Sequence, residues 1–255
     1  MKRFLRVSLL LPFLFAALAI SQAGVCFASS FKITPVQVLL SRQVPTALLT
    51  LKNESDRTLR FQADVFSWDQ DPQGRMQLTP TRDIVFFPTI LAVQPGEERK
   101  VRVGTPAGFG PVEKAYRIFF EELPELEKAG SSRGSELRIR TRMGIPIFLQ
   151  PRELEKGSRV DAITGRAGIL RFSVRNTGNI HVSLRGIRVR GLGPTGDARF
   201  ERESDGWYVL AGGSRDYEIE IPERQCGGIA RYVIEAQVDE KTVLEKLESS
   251  AAFCR

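Results

Sequence analysis

From Phe31 onward the chain is written in short runs in which apolar and polar residues alternate, and turn-forming clusters break the runs about every 8 to 12 positions. Successive side chains of a strand point to opposite faces, so this alternation gives each strand one apolar and one polar side. A chain built this way buries its apolar faces by stacking sheet on sheet. The pattern predicts strands over Phe31 to Leu40, Thr46 to Lys52, Leu59 to Trp68, Asp83 to Phe87, Leu91 to Val93, Arg99 to Gly104, Ala115 to Glu122 and Leu137 to Leu149. It resumes over Ala167 to Arg175, His181 to Arg190, Trp207 to Leu210, Tyr217 to Ile221, Ile229 to Val238 and Lys241 to Leu247. Asn53-Glu54-Ser55-Asp56, Asp71-Pro72-Gln73-Gly74 and Gln94-Pro95-Gly96-Glu97 supply turn geometry between runs. No long amphipathic helical pattern interrupts them. The expected class is all-β.

The pattern starts late because the N-terminus reads differently. Lys2, Arg3 and Arg6 precede an apolar run from Val7 to Ile20, and small residues follow up to Cys26-Phe27-Ala28. That layout is a secretory signal peptide over residues 1–28, with cleavage after Ala28 or, alternatively, Ala23. The run is shorter than the ~20 residues a membrane span needs, so no stable membrane insertion is expected. Val25 stands before Cys26 where lipid attachment would want a small residue. An exported, periplasmic protein is expected.

Removing 28 of the 255 residues leaves a length suited to two sandwiches of roughly 100 residues each. The composition changes at Pro151-Arg152-Glu153, which places domains at 29–151 and 152–255. A loose repeat supports the division: Leu48 to Asn53 and Leu170 to Asn176 are both alternating strands that end in an Asn-led turn. The net charge of +7 falls by the three leader cations to an ordinary value with no basic run, so nucleic acid is not an expected partner. Cys226 and Cys254 remain once Cys26 leaves with the leader, and in an oxidising compartment they are expected to form a disulfide. Closing that loop is worth ~3 to 4 kcal/mol on the chain-entropy account.

Three segments, in this order, resemble the periplasmic fimbrial (PapD-like) chaperones. The first is Phe87-Pro88-Thr89-Ile90-Leu91-Ala92-Val93-Gln94-Pro95-Gly96, continuing to Lys100-Val101-Arg102-Val103. Then come Glu113 to Pro124, an alternating strand closed by Glu122-Leu123-Pro124, and Leu137 to Pro151, which is similar to the family's last N-terminal strand. The resemblance covers the layout of the whole chain after the leader, but its specific motifs lie before Pro151. It implies two immunoglobulin-like β-sandwich domains set at an angle. It also implies a chaperone that stabilises fimbrial or pilus subunits by donor-strand complementation and delivers them to an outer-membrane usher.

Donation of a strand needs apolar side chains at period two, to fill a groove while the backbone completes a hydrogen-bond ladder. Leu137, Ile139, Thr141, Met143 and Ile145 form such a row, with Arg138, Arg140, Arg142 and Gly144 on the other face. Leu137 and Ile139 match large donor residues, each worth ~1.5 to 3 kcal/mol if buried. Thr141 replaces a large residue by a small polar one. The same row would also suit packing into the protein's own sandwich. The family's Arg and Lys that hold a subunit's terminal carboxylate fall by register near Gln37 and on Pro146. Gln37 keeps a hydrogen-bond donor but no charge, and Pro146 keeps neither. Arg142 or Arg152 is the expected source of the missing charge. A family charge network is matched by Arg102 and Glu113, with Gln150 in the third place.

The single histidine, His181, opens a strand, a setting that is most often structural. No zinc motif occurs, and Gly191-Leu192-Gly193-Pro194-Thr195-Gly196, although its glycines have the spacing of a nucleotide-binding loop, reads as a turn because of Pro194 and the lack of a helical pattern there. No enzymatic activity, cofactor or metal is expected. The competing reading is a two-domain immunoglobulin-like surface, adhesion or scaffold protein whose sandwiches serve as spacers.

Overall fold

A computed structural model describes residues 30–124, 140–250 and 253–254. The first ten strands are β1 (Phe31–Thr34), β2 (Val38–Leu40), β3 (Thr46–Asn53), β4 (Leu59–Gln70), β5 (Met76–Pro80), β6 (Val85–Phe87), β7 (Ile90–Val93), β8 (Glu98–Gly104), β9 (Lys114–Glu122) and β10 (Arg142–Leu149). They build two sheets, ordered β1-β3-β8-β6 and β2-β10-β9-β4-β5, with β7 also on β4. The inner faces meet in a core that joins Leu49, Leu51, Val101 and Val103 of one sheet to Phe61, Ile118, Phe120 and Ile147 of the other.

After Pro151 follow β11 (Ser158–Arg166), β12 (Ile169–Asn176), β13 (Val182–Leu192), β14 (Ala198–Asp205), β15 (Tyr208–Val209), β16 (Ser214–Glu220), the single-turn α1 (Glu223–Cys226), β17 (Arg231–Val238) and β18 (Lys241–Glu248). These strands form sheets β11-β12-β16 and β14-β13-β17-β18, with β15 on β13. Their core centres on Leu170, Phe172, Val189, Tyr232 and Ile234. Cys226 and Cys254 are joined in a disulfide that ties α1 to the C-terminal segment. Each strand pairs only within its own half of the chain, and the switch falls in the segment around Pro151.

The run expected as one strand over Phe31 to Leu40 is two. Pro35 has no amide hydrogen with which to continue the ladder. The chain crosses there from β3 of one sheet to the edge of the other, where β2 lies parallel to β10.

Between the halves lies a separate apolar cluster of Trp68, Phe148 and Leu210, flanked by Met76, Ala115, Trp207 and Tyr208. It packs the outer face of the β4-β9-β10 sheet against β15 and its neighbours. Backbone contacts reinforce it: the Glu113 N–H donates to Asn179 O at 2.9 Å, and the Asp216 N–H to Pro72 O at 2.6 Å.

Candidate partner-binding strand and junction

β10 pairs with β9 over its whole length, from Arg142↔Glu121 to Leu149↔Lys114. On its other side β2 covers only Ile147, Phe148 and Leu149. Among the described residues, therefore, no strand pairs with the Arg142 to Pro146 stretch of that edge. The Glu122 N–H donates to Thr141 O, while the Gln150 N–H donates to Leu40 O. In an antiparallel ladder these directions alternate residue by residue. Thr141, Met143 and Ile145 thus turn their backbone groups toward β9, and Arg142, Gly144 and Pro146 turn theirs to the open side. Pro146 is tolerated because its missing N–H falls on the side away from β9.

The side-chain row changes character along the strand. Ile147, Leu149 and Ile145 are buried in the protein's own core, at 0%, 2% and 3% exposure. Met143 packs on that core from its margin, and Thr141 is half-buried. Ile145 is thus committed to internal packing, and the row emerges from the sandwich as it runs toward the N-terminal end of β10. Leu137 and Ile139, next in the row, lie outside the described residues, as does Arg138. On the opposite face the Arg142 guanidinium sits 4.0 Å over the Phe119 ring. Arg140 and Arg142 both approach Glu121, at 3.7 and 3.9 Å. Exposed pairs of this kind contribute ~0 to 1 kcal/mol each.

Arg117, on β9 directly across from Pro146, is the cation that sequence reasoning missed. Its guanidinium carbon lies 4.9 Å from the Trp68 ring and 5.1 Å from Trp207, and one of its terminal nitrogens donates to Gly144 O at 3.3 Å. Burial pushes its pKa below the ordinary arginine value, with partial compensation from Tyr208, yet a guanidinium remains a cation. Its Nε is buried with no hydrogen-bond partner. A charge-bearing group thus reaches the open edge at Gly144, across from the proline that occupies the expected cation position. Arg152 is exposed in the segment between the halves, with no ion pair among the described residues.

Gln37 and Glu113 meet at His181. The His181 Nδ1 lies 2.7 Å from Glu113 Oε1, and the His181 backbone N–H donates to the same oxygen at 2.8 Å. The His181 Nε2 lies 3.2 Å from Gln37 Nε2. The imidazole stacks on Phe148 at 3.7 Å between ring centroids, 13° from parallel. The expected grouping of Arg102, Glu113 and Gln150 is not formed. Val101 and Val103 face the core, so Arg102 between them must face outward, where it lies across from Leu48 and Phe87. Glu113 pairs with His181 instead, and the Gln150 backbone N–H is engaged by β2. No local pattern marks these partners, which are separated by 68 and 144 positions in the chain.

Among the described residues, no group of three or more His, Cys, Asp or Glu is placed to hold a metal ion. No helix among them is long and apolar enough to cross a membrane, a statement that does not bear on β-barrels.

Residues 30–155 match the family model described as pili and flagellar-assembly chaperone, PapD N-terminal domain. No curated protein matches the chain. Among solved structures, the chain is similar to one in the CsuC–CsuE chaperone-tip adhesion subunit pre-assembly complex from the archaic chaperone-usher Csu pili of Acinetobacter baumannii. There the identity is 16%, the coverage 86% of this chain and 98% of that one, and the TM-score 0.59. It is also similar to the E. coli chaperone DraB, at 17% identity, 87% and 98% coverage, and a TM-score of 0.53. A chain in the complex of Salmonella enterica SafA pilin with the SafB chaperone matches at 14% identity, 87% and 98% coverage, and a TM-score of 0.54. At these identities the likeness is one of fold, two immunoglobulin-like sandwiches in succession, and it spans both halves. With the matched segment taking in β1 to β10 and their ordered motifs, the chain belongs to the PapD-like family of pilus-assembly chaperones, as a divergent member.

Proposed function

We propose that the protein is exported to the periplasm and captures pilus subunits by donor-strand complementation, then passes them to an outer-membrane usher. The observation that carries this reading is that, among the described residues, no strand pairs with β10 from Arg142 to Pro146 on the side away from β9, while the row Ile145, Met143, Thr141 leaves the core. An unpaired edge normally invites association with another strand. A subunit strand added there would take ladder bonds from Arg142 and Gly144, and the groove of that subunit would receive Ile139 and Leu137. Capture and handover are binding events, so the reading includes no catalytic step. The boundary between the two functional units is placed at Pro151, ahead of β11.

Arg117 and Gln37 are the groups that would meet the subunit's terminal carboxylate. Arg117 supplies the charge that Pro146 cannot, from the facing strand, and Gln37 supplies a neutral donor at the start of β2. This arrangement favours Arg117 over Arg142, which is held over Phe119, and over Arg152.

The test is co-expression of the chaperone with a subunit from a neighbouring gene, followed by co-purification. Ile139→Asp should leave the protein folded by circular dichroism and abolish capture. Normal capture by a folded Ile139→Asp variant would refute donation by this row.

A further inference from the structure

His181 is the only histidine of the chain, and its ring is fixed on three sides. Phe148 of β10 stacks on one face, Tyr208 of β15 approaches with its centroid 5.5 Å away, and Glu113 holds Nδ1. The Glu113 side chain is 1% exposed, and its Oε1 accepts from both the backbone and the ring of His181. An ionised carboxylate can only accept, so Nδ1 carries a hydrogen in either charge state of the imidazole. The change of protonation is therefore confined to Nε2, the atom that faces Gln37.

In the neutral ring Nε2 is an acceptor, and the Gln37 NH2 donates to it across the 3.2 Å separation. The amide oxygen of Gln37 then points elsewhere. In the imidazolium Nε2 becomes a donor, and two donors cannot share that contact. A half-turn of the carboxamide resolves the conflict: Oε1 accepts from Nε2–H, and the whole NH2 group is released. Gln37 is half-buried and lies just before β2, the strand that ends the open edge of β10.

We infer that the proton on His181 decides which end of the Gln37 amide faces the junction, and so whether a carboxylate there meets a donor or an acceptor. Acid favours carboxylate binding at Gln37, and alkali opposes it. The charged and titratable groups around the ring are Glu113 before β9, Tyr208 on β15, and Asp239 in the turn between β17 and β18. The Asp239 carboxyl is pushed up by burial, but Lys156, the Ser183 N–H and His181 together hold it below its usual range. Phe148 contributes no charge.

The inference rests on the donor-strand reading only in supposing that a captured chain brings its carboxylate to this place. The full 15N-labelled chain, followed by NMR as the pH is varied, tests it without any subunit. The His181 ring nitrogens need no sorting among histidines, and the Gln37 side-chain amide is identified by its loss in Gln37→Ala. Both sets of signals should move with one midpoint. The probe is N-acetyl-Gly-Gly with a free carboxylate, and its C-terminal amide is the control. The acid should bind roughly tenfold tighter one pH unit below the observed midpoint than one unit above it. The amide control should show no such trend, and His181→Gln should flatten it. A Gln37 amide that stays silent while His181 titrates would overturn the inference. So would acid binding that is indifferent to pH. Should His181→Gln fail to fold, the wild-type titration decides alone. Coupled signals in a protein that captures no subunit would sink the donor-strand reading and leave this one standing. Subunit capture with uncoupled signals would do the reverse.

Discussion

Asn53 and Asn176 occupy equivalent places in the two halves of the chain, each at the end of a strand and each almost wholly buried, at 0% and 1% exposure. The Asn53 Nδ2 donates to Val93 O at 2.9 Å and Arg57 O at 2.7 Å, while its Oδ1 accepts from the Ser55 N–H. The Asn176 Nδ2 donates to Ile180 O, Val209 O and Leu210 O, and its Oδ1 accepts from the Gly178 N–H. Each side chain thus sews its own turn to a distant strand end. A buried carbonyl left without its donor costs ~1 to 3 kcal/mol. Asn53→Ala and Asn176→Ala should each destabilise the fold by about 2 to 4 kcal/mol, read as lower urea midpoints. Loss of less than ~0.5 kcal/mol from either would show that water replaces the side chain.

Tyr116 should make the protein alkali-sensitive. Its ring is 1% exposed and its hydroxyl donates to Asp83 Oδ2 at 2.6 Å. Burial first, then the hydrogen bond and charge of Asp83, push its pKa well above the ordinary tyrosine value. Above about pH 10 an unfolded chain would release this proton while the native chain keeps it. The stabilisation is therefore complete below that pH and is lost as pH rises through the native value. Tyr116→Phe should cost ~1 to 2 kcal/mol at neutral pH. It should also flatten the fall in urea midpoint that the wild type shows above about pH 10. An equally steep fall in the variant would assign the effect to Tyr217 and Tyr232, whose pKa values are raised by burial as well.

Arg117 separates stability from binding. Replacing a half-buried cation by an apolar side chain of similar length removes a desolvation penalty, so Arg117→Met should be neutral or stabilising by up to ~1 kcal/mol. Subunit capture should nonetheless weaken, because the guanidinium that donates to Gly144 O is lost while Arg142 stays held over Phe119. Unchanged capture, with folding intact, would remove Arg117 from the binding site.

The sequence was most readable where a strand is buried on one face and exposed on the other. β3, β12, β13 and β17 alternate in burial almost residue by residue, and the periodicity that follows is visible without coordinates. β5, β11 and β14 were not foreseen. β5 and β14 are edge strands with at most one buried residue, and β11 is an edge strand with a register shift after Asp161, so each lacks a clean apolar face. The strand of the candidate site was legible in part: polar and apolar residues alternate at its N-terminal end, whereas Ile145 to Leu149 are buried on both faces because the second half of the chain covers Phe148. Its surroundings were not. The links from Glu113 to His181, from Gln37 to His181, and from Arg117 to Trp207 exist only because two sandwiches meet, and no spacing along the chain encodes such a meeting.

Both tryptophans of the protein, Trp68 and Trp207, sit at that meeting place, with ring centroids 5.5 Å apart and the same guanidinium beside each. Trp68 comes from before Pro151 and Trp207 from after it. The molecule consequently carries its own optical gauge: a hinge movement between the lobes would alter the emission of every indole it possesses. Unfolding confined to the far end of either lobe would leave that emission untouched.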